Sequence, residues 1–177
     1  MRRNAGRRCI CWDLDWPERL FVTAVRVWLG GASARADFLA TLRHNLGSGG
    51  TRAAESLDGF LEILVRGARR VLWFRRCDAF GVTADERALV ALVAAVQHRE
   101  EERAAAALRW LLPRNLQSEA LARVRAFAAV LADSGFWLSM VSPRRPPAAP
   151  RLIAAEPVGR LPTDAGARST RAPPSRA

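Results

Sequence analysis

Apolar residues recur at helical spacing along most of the chain between positions 16 and 134. Leu20, Phe21, Ala24, Val25 and Trp28 fall on one face of an α-helix. Ahead of them, Asp15 can accept from the third amide, Glu18 can reach back, and Pro17 sits where its missing N–H costs nothing. Gly30-Gly31 stops the run, so the pattern predicts a helix over 16–29. The β-branched residues of 21–29 also permit a strand, but the cap and the glycines favour the helix. Ser33 is the expected cap of a second helix, 34–46, with Phe38, Leu39, Leu42 and Leu46 as its stripe and Gly47 as its stop. Gly47-Ser48-Gly49-Gly50 reads as a flexible link.

Thr51 opens a third helix with Leu57, Phe60, Leu61, Leu64 and Ala68 on one face. Its acids Glu55, Asp58 and Glu62 come early and Arg66, Arg69 and Arg70 late, the order the helix dipole prefers. Gly59 and Gly67 weaken it modestly. The stretch 71–82 leaves two alternatives open, a continued helix or an extended strap over the core. Thr83-Ala84-Asp85-Glu86 is a capping box, followed by an unbroken apolar run from Ala88 to Val96. A helix over 84–98 that is apolar nearly all round belongs at the centre of a bundle.

Glu100-Glu101-Glu102 is either a solvated turn or the start of a fifth helix, 101–112, which ends at Leu112-Pro113. Its continuity with the helix before it stays open. A sixth helix begins at Asn115 or Ser118 and carries Leu121, Val124, Phe127, Ala128 and Leu131, with Gly135 past its end. Phe136 and Trp137 are expected to fold back onto its last turn. After Val141 periodicity ceases, and Pro143, Pro146, Pro147 and Pro150 alternate with Arg and Ala. The expected architecture is therefore all-α: a compact bundle of about six helices over 12–141, between a basic tail, 1–11, and a disordered Pro/Arg/Ala-rich tail, 142–177. A body of about 130 residues buries roughly two-thirds of its unfolded surface and needs no metal or disulfide to be stable.

Composition changes this picture in one respect. The net charge of +11 suggests a nucleic-acid partner, but its distribution is uneven. Residues 1–8 contribute +4 and residues 142–177 contribute +5, leaving the body nearly neutral. All 28 basic residues are arginine, Tyr is missing, and Ile and Asn are scarce. A GC-rich, bacterial genome accounts for that bias more fully than selection for phosphate contacts does. Acids interrupt the N-terminus before an apolar stretch forms, so no signal peptide is read there and the expected location is cytoplasmic.

The sequence carries no catalytic or metal-binding constellation. The residues three before His44 and His98 are Thr41 and Ala95, so the Glu-x-x-His pairs of a di-iron bundle are missing. Cys9, Cys11 and Cys77 lack zinc-ligand spacing, and no metal or other cofactor is expected. Cys77 with Asp78 and a distant His98 has no surrounding nucleophile signature. Gly47-Ser48-Gly49-Gly50-Thr51 lacks the lysine and the preceding strand of a phosphate loop.

Interaction features remain. Helices 16–29 and 34–46 have the lengths of a helix-turn-helix, and the second offers Arg35, Arg43, His44 and Asn45 to bases or phosphates, although Asp37 on the same surface would repel phosphate. Arg2, Arg3, Arg7 and Arg8 in one tail, and Arg144, Arg145 and Arg151 in the other, can bind polyanions by charge alone. Arg144-x-x-Pro147-x-x-Pro150 fits a polyproline-ligand pattern that an Arg/Pro-rich stretch produces readily by chance. Six tryptophans, Trp12, Trp16, Trp28, Trp73, Trp110 and Trp137, are many for this length. Several should close the ends of the core, whereas an exposed cluster beside arginine would mark a protein-contact face. The expectation is a non-catalytic interaction or regulatory protein that binds another protein. The alternative is nucleic-acid binding through helix 34–46 or the Arg-rich tails.

Overall fold

The computed structural model describes residues 14–31 and 34–139. Among them the chain forms six α-helices and no strand. They are α1 (Trp16–Leu29), α2 (Arg35–Leu46), α3 (Gly50–Gly67), α4 (Ala84–Gln97), α5 (Glu101–Leu111) and α6 (Arg114–Asp133). The fold is a compact all-α bundle. None of these helices is long and apolar enough to cross a membrane.

Local sequence starts and stops these helices as the spacing predicts. Glu18 accepts from the Asp15 backbone N–H at 3.1 Å at the head of α1. At α4, the Thr83 hydroxyl accepts from Glu86 N–H at 3.1 Å while Glu86 accepts from Thr83 N–H at 2.8 Å. α4 and α5 are separate helices, because Arg99 adopts a left-handed φ of 60° between them. Glu100 and Pro113 occupy the N-cap positions of α5 and α6 without a side-chain hydrogen bond, and α6 begins one residue before Asn115. The Ser33 cap falls outside the described residues, as do both basic tails.

Two local expectations are corrected and a third is extended. Gly47–Gly49 is a turn of 3₁₀-helix and Gly50 already belongs to α3, so the connection is a tight corner and not a flexible link. A Cβ on Gly50 would press into the Arg43 backbone, 2.7 Å from its nitrogen and 2.7 Å from the Leu42 carbonyl oxygen. Glycine here allows α2 and α3 to touch main chain to main chain. Ala68 is not on the α3 stripe: it is extended, at ψ 134°, and Arg69 N–H then donates to the Leu111 carbonyl at 2.9 Å, turning the chain towards α5. Finally, Gly59 and Gly67 lie against Arg123 and Leu116 of α6. They are points of close approach as well as weak helix formers.

α3 and α6 make the most extensive helix pairing; α2 packs on α3, and α4 packs against α1, α5 and α6. Phe21, Phe60 and Phe127 are among the largest fully buried side chains. The rings of Phe21 and Phe127 lie 5.6 Å apart and tilted, a favourable aromatic geometry. The apolar run of α4 buries Leu89, Val90, Leu92, Val93, Ala94 and Ala95 but leaves Ala91 exposed, so α4 has one outer face. Phe136 folds back through an N–H bond to the Leu131 carbonyl and lies 4.8 Å from the ring of Trp16. Trp137 lies 5.7 Å from His98.

Candidate functional site

Between α3 and α4 the chain makes an irregular excursion, residues 68–83, without helix or strand. The extended-strap alternative for this stretch is the observed one. Leu72, Phe74 and Val82 pack inward against the core. The strap is anchored from beneath by Arg26 of α1. Its Nε donates to Glu86 Oε1 at 2.6 Å and its Nη2 to Glu86 Oε2 at 2.8 Å. The same guanidinium reaches the carbonyls of Ala79, at 3.2 Å, and Gly81, at 2.7 Å. Both side chains are almost wholly buried, at 0% and 1% exposure.

A buried ion pair offsets its desolvation only when every donor and acceptor is used, and the strap uses the remainder. Glu86 also accepts the N–H groups of Arg75, at 3.1 Å, and Thr83. Burial alone would push the Glu86 carboxyl up, but the Arg26 and backbone hydrogen bonds outweigh it and hold the group below the usual range. Beside it, Asp85 bonds Arg70 and accepts from Trp73 N–H at 2.6 Å. There too burial is outweighed, and the Asp85 carboxyl is held low. Both acids stand in the first turn of α4, where the helix dipole favours negative charge.

The outer side of this strap is apolar and cationic. Burial alternates from Val71 to Arg75, so Val71 and Trp73 face outward at 74% and 71% exposure while Leu72 and Phe74 face in. Phe80, on the return limb, is 65% exposed. Trp110 of α5 is about half exposed, and the Arg70 guanidinium stacks 3.8 Å over its ring. Arg70 thus links the two tryptophans, stacking on Trp110 and pairing with the Asp85 that holds the Trp73 amide. Arg66, Arg69, Arg75 and Arg109 are exposed and pair with no described carboxylate. The acids of this side are already occupied: Asp78 by Arg76, Asp85 by Arg70 and Glu86 by Arg26.

The four candidates on α2 are not brought together. Arg35 lies 4.6 Å over the Trp28 ring and pairs with Asp58, which also accepts from Trp28 Nε1. Arg43 Nε donates to the Thr51 hydroxyl at 3.0 Å, and Asn45 returns its amide to the Thr41 carbonyl at 2.6 Å. His44 is exposed. Three of the four side chains therefore make intramolecular hydrogen bonds, Arg43 while remaining exposed, and at 100° per residue Arg43, His44 and Asn45 cannot share one face. Arg2, Arg3, Arg7, Arg8, Arg144, Arg145 and Arg151 lie outside the described residues, as do Cys9, Cys11 and Trp12.

Cys77 and His98 are far apart. Cys77 is on the strap beside the start of α4, whereas His98 follows the end of that helix, about 20 Å away by its length. The His98 ring contacts the Leu138 carbonyl at 3.0 Å. Among the described residues no three His, Cys, Asp or Glu side chains gather as metal ligands would. A groove of about 470 Å³ between the α4–α5 turn and α6 has an alanine-rich floor and the Glu101–Arg125 pair on its wall.

Sequence reasoning singled out the tryptophans and arginines, of which Trp73 and Trp110 are exposed and Arg70 stacks on Trp110, but it missed the Arg26–Glu86 anchor. Its trace was present: Arg26 stands four residues after Val22, on the apolar side of α1, where a charge requires a partner. No protein-family model matches this chain, and neither a curated protein nor a solved structure does.

Proposed function

We propose that the protein is a non-catalytic interaction module that binds another protein through the face formed by Val71, Trp73, Phe80 and Trp110. The observation that carries this reading is Trp73: a large apolar side chain at 71% exposure on a segment whose backbone is tied to two buried carboxylates. Exposed large apolar side chains gathered on one surface mark interaction sites, and a fixed backbone reduces the ordering cost of binding. Tryptophan beside arginine is the composition of binding hot spots. The carboxylates below the face are engaged by guanidinium groups, which suits support of a surface better than proton transfer. A cytoplasmic, bacterial setting belongs to the same proposal and rests on composition.

The test uses the full chain and a Trp73→Ser/Phe80→Ser variant as baits in extract of the source organism, with and without nuclease treatment. A protein retained by the parent and lost by the variant supports the reading. Retention of the same protein by both overturns it. Capture of nucleic acid alone, with a steep salt dependence, favours the nucleic-acid alternative.

A further inference from the structure

We propose that Val71–Arg75 presents an open edge of extended backbone onto which a partner protein adds an acidic, extended segment by β-type pairing. The inference rests on the protein-binding reading above and names its mode. In an extended backbone, side chains alternate between faces, and successive N–H and C=O pairs alternate between the two edges. The alternating burial of residues 71–75 has that period.

One edge is occupied. Trp73 N–H donates to Asp85, the Trp73 carbonyl accepts from the Thr83 hydroxyl at 2.6 Å, and Arg75 N–H donates to Glu86. Leu72 and Phe74 address the opposite edge, and their N–H and C=O groups have no partner among the described residues. Two residues thus present donor and acceptor in the repeat that an added strand completes. Donors alternating with acceptors match a peptide backbone; a phosphodiester chain offers acceptors only along its backbone.

Charge selects the occupant. Arg66, Arg69, Arg75 and Arg109 leave this side cationic once its acids are paired. A second copy of the chain would bring the same arginines, and its tails, at +4 and +5, are repelled as well. A negatively charged segment with an apolar side chain to set beside Trp73 is what the edge fits.

The probe is a labelled peptide of alternating Glu and Val, titrated by anisotropy into the full chain. Two further versions carry N-methyl groups on one or the other alternate set of amides. Strand addition predicts saturable binding of the parent peptide. It also predicts that one N-methylated version, and not the other, weakens by about tenfold or more, the loss of one or two hydrogen bonds. Arg75→Glu, an exposed substitution, should weaken the acidic peptide and favour a Lys-Val counterpart. Equal binding of both N-methylated versions overturns strand addition while leaving protein recognition by the face intact. Lack of binding at millimolar peptide, or self-association through this segment in sedimentation, also overturns it. Displacement of the peptide by oligothymidine overturns both this inference and the protein-binding reading.

Discussion

Arg26 and Glu86 are sixty residues apart in sequence and meet as a two-pronged pair at 2.6 and 2.8 Å with almost no solvent access. Removing one partner leaves the other charged and buried. Arg26→Met is therefore expected to lower unfolding free energy by about 3–5 kcal/mol, read from the urea midpoint. Combining it with Glu86→Leu should restore much of that stability. The double variant still lacks the acceptor for Arg75 and Thr83 N–H, so trypsin should cut after Arg75 and Arg76 faster than in the parent.

Acidity acts on the bundle in two opposite senses. Asp85 and Glu86 are held below their ordinary values. The stability they contribute is full above the unfolded values of about 3.9 and 4.3, and is lost as pH falls through the lower folded ones. Glu18 is displaced upward, chiefly because burial disfavours its charge and with Asp15 adding repulsion, against the hydrogen bond from Asp15 N–H. Its folded state holds the proton more firmly, so stability declines as pH rises from about 4.3 through the raised value. Thermal melts should show Glu18→Gln more stable than the parent at pH 7 and equal to it near pH 3. Glu86→Gln should be less stable at pH 7, with the difference closing in acid.

Two glycine substitutions on α3 separate backbone contact from side-chain contact. Gly50→Ala meets the main chain of Leu42 and Arg43 and cannot be relieved without parting α2 from α3. It is expected to cost about 1–3 kcal/mol as an overpacked site. Gly67→Ala meets the Cδ1 of Leu116, the far end of a flexible side chain. Rotation of that leucine should keep the change under about 1 kcal/mol, with a better helix former in partial compensation. Equal denaturation midpoints for the two variants would contradict this distinction.

Trp73 and Trp110 should behave differently when truncated. Trp73→Ser removes an outward side chain and is expected to shift stability by no more than about 0.5 kcal/mol. Trp110→Ser removes the ring under Arg70 and should cost about 0.5–1 kcal/mol more than that. Urea titrations of the two variants provide the comparison.

The helices were legible because their determinants are local. The capping residues at 15–18 and 83–86, the 3- and 4-residue spacing of apolar positions and the stop at Gly30 all act within a turn or two. The strap was legible only as one of two alternatives, since its path depends on Arg26, Asp85 and Glu86, whose meeting is a property of tertiary packing. The corner at Gly47–Gly50 departs from its expected flexibility for a related reason. Its glycines suggest freedom in isolation, and only the adjacent backbone of Arg43 reveals that Gly50 is a packing contact. At the α2 candidates, residue type was informative about hydrogen bonding but not about whether the partner would lie inside the molecule.

The anchoring of residues 73–86 to α1 also orders events during synthesis. A nascent chain that has emerged only as far as residue 80 already contains Trp73 and Phe80, yet Asp85 and Glu86 have still to appear. Without those carboxylates the tryptophan rides on a loose thread. A fixed backbone beneath Trp73 is thus conferred only by completion of the helix that follows it, and a copy cut short before Asp85 would present the same side chains without that support.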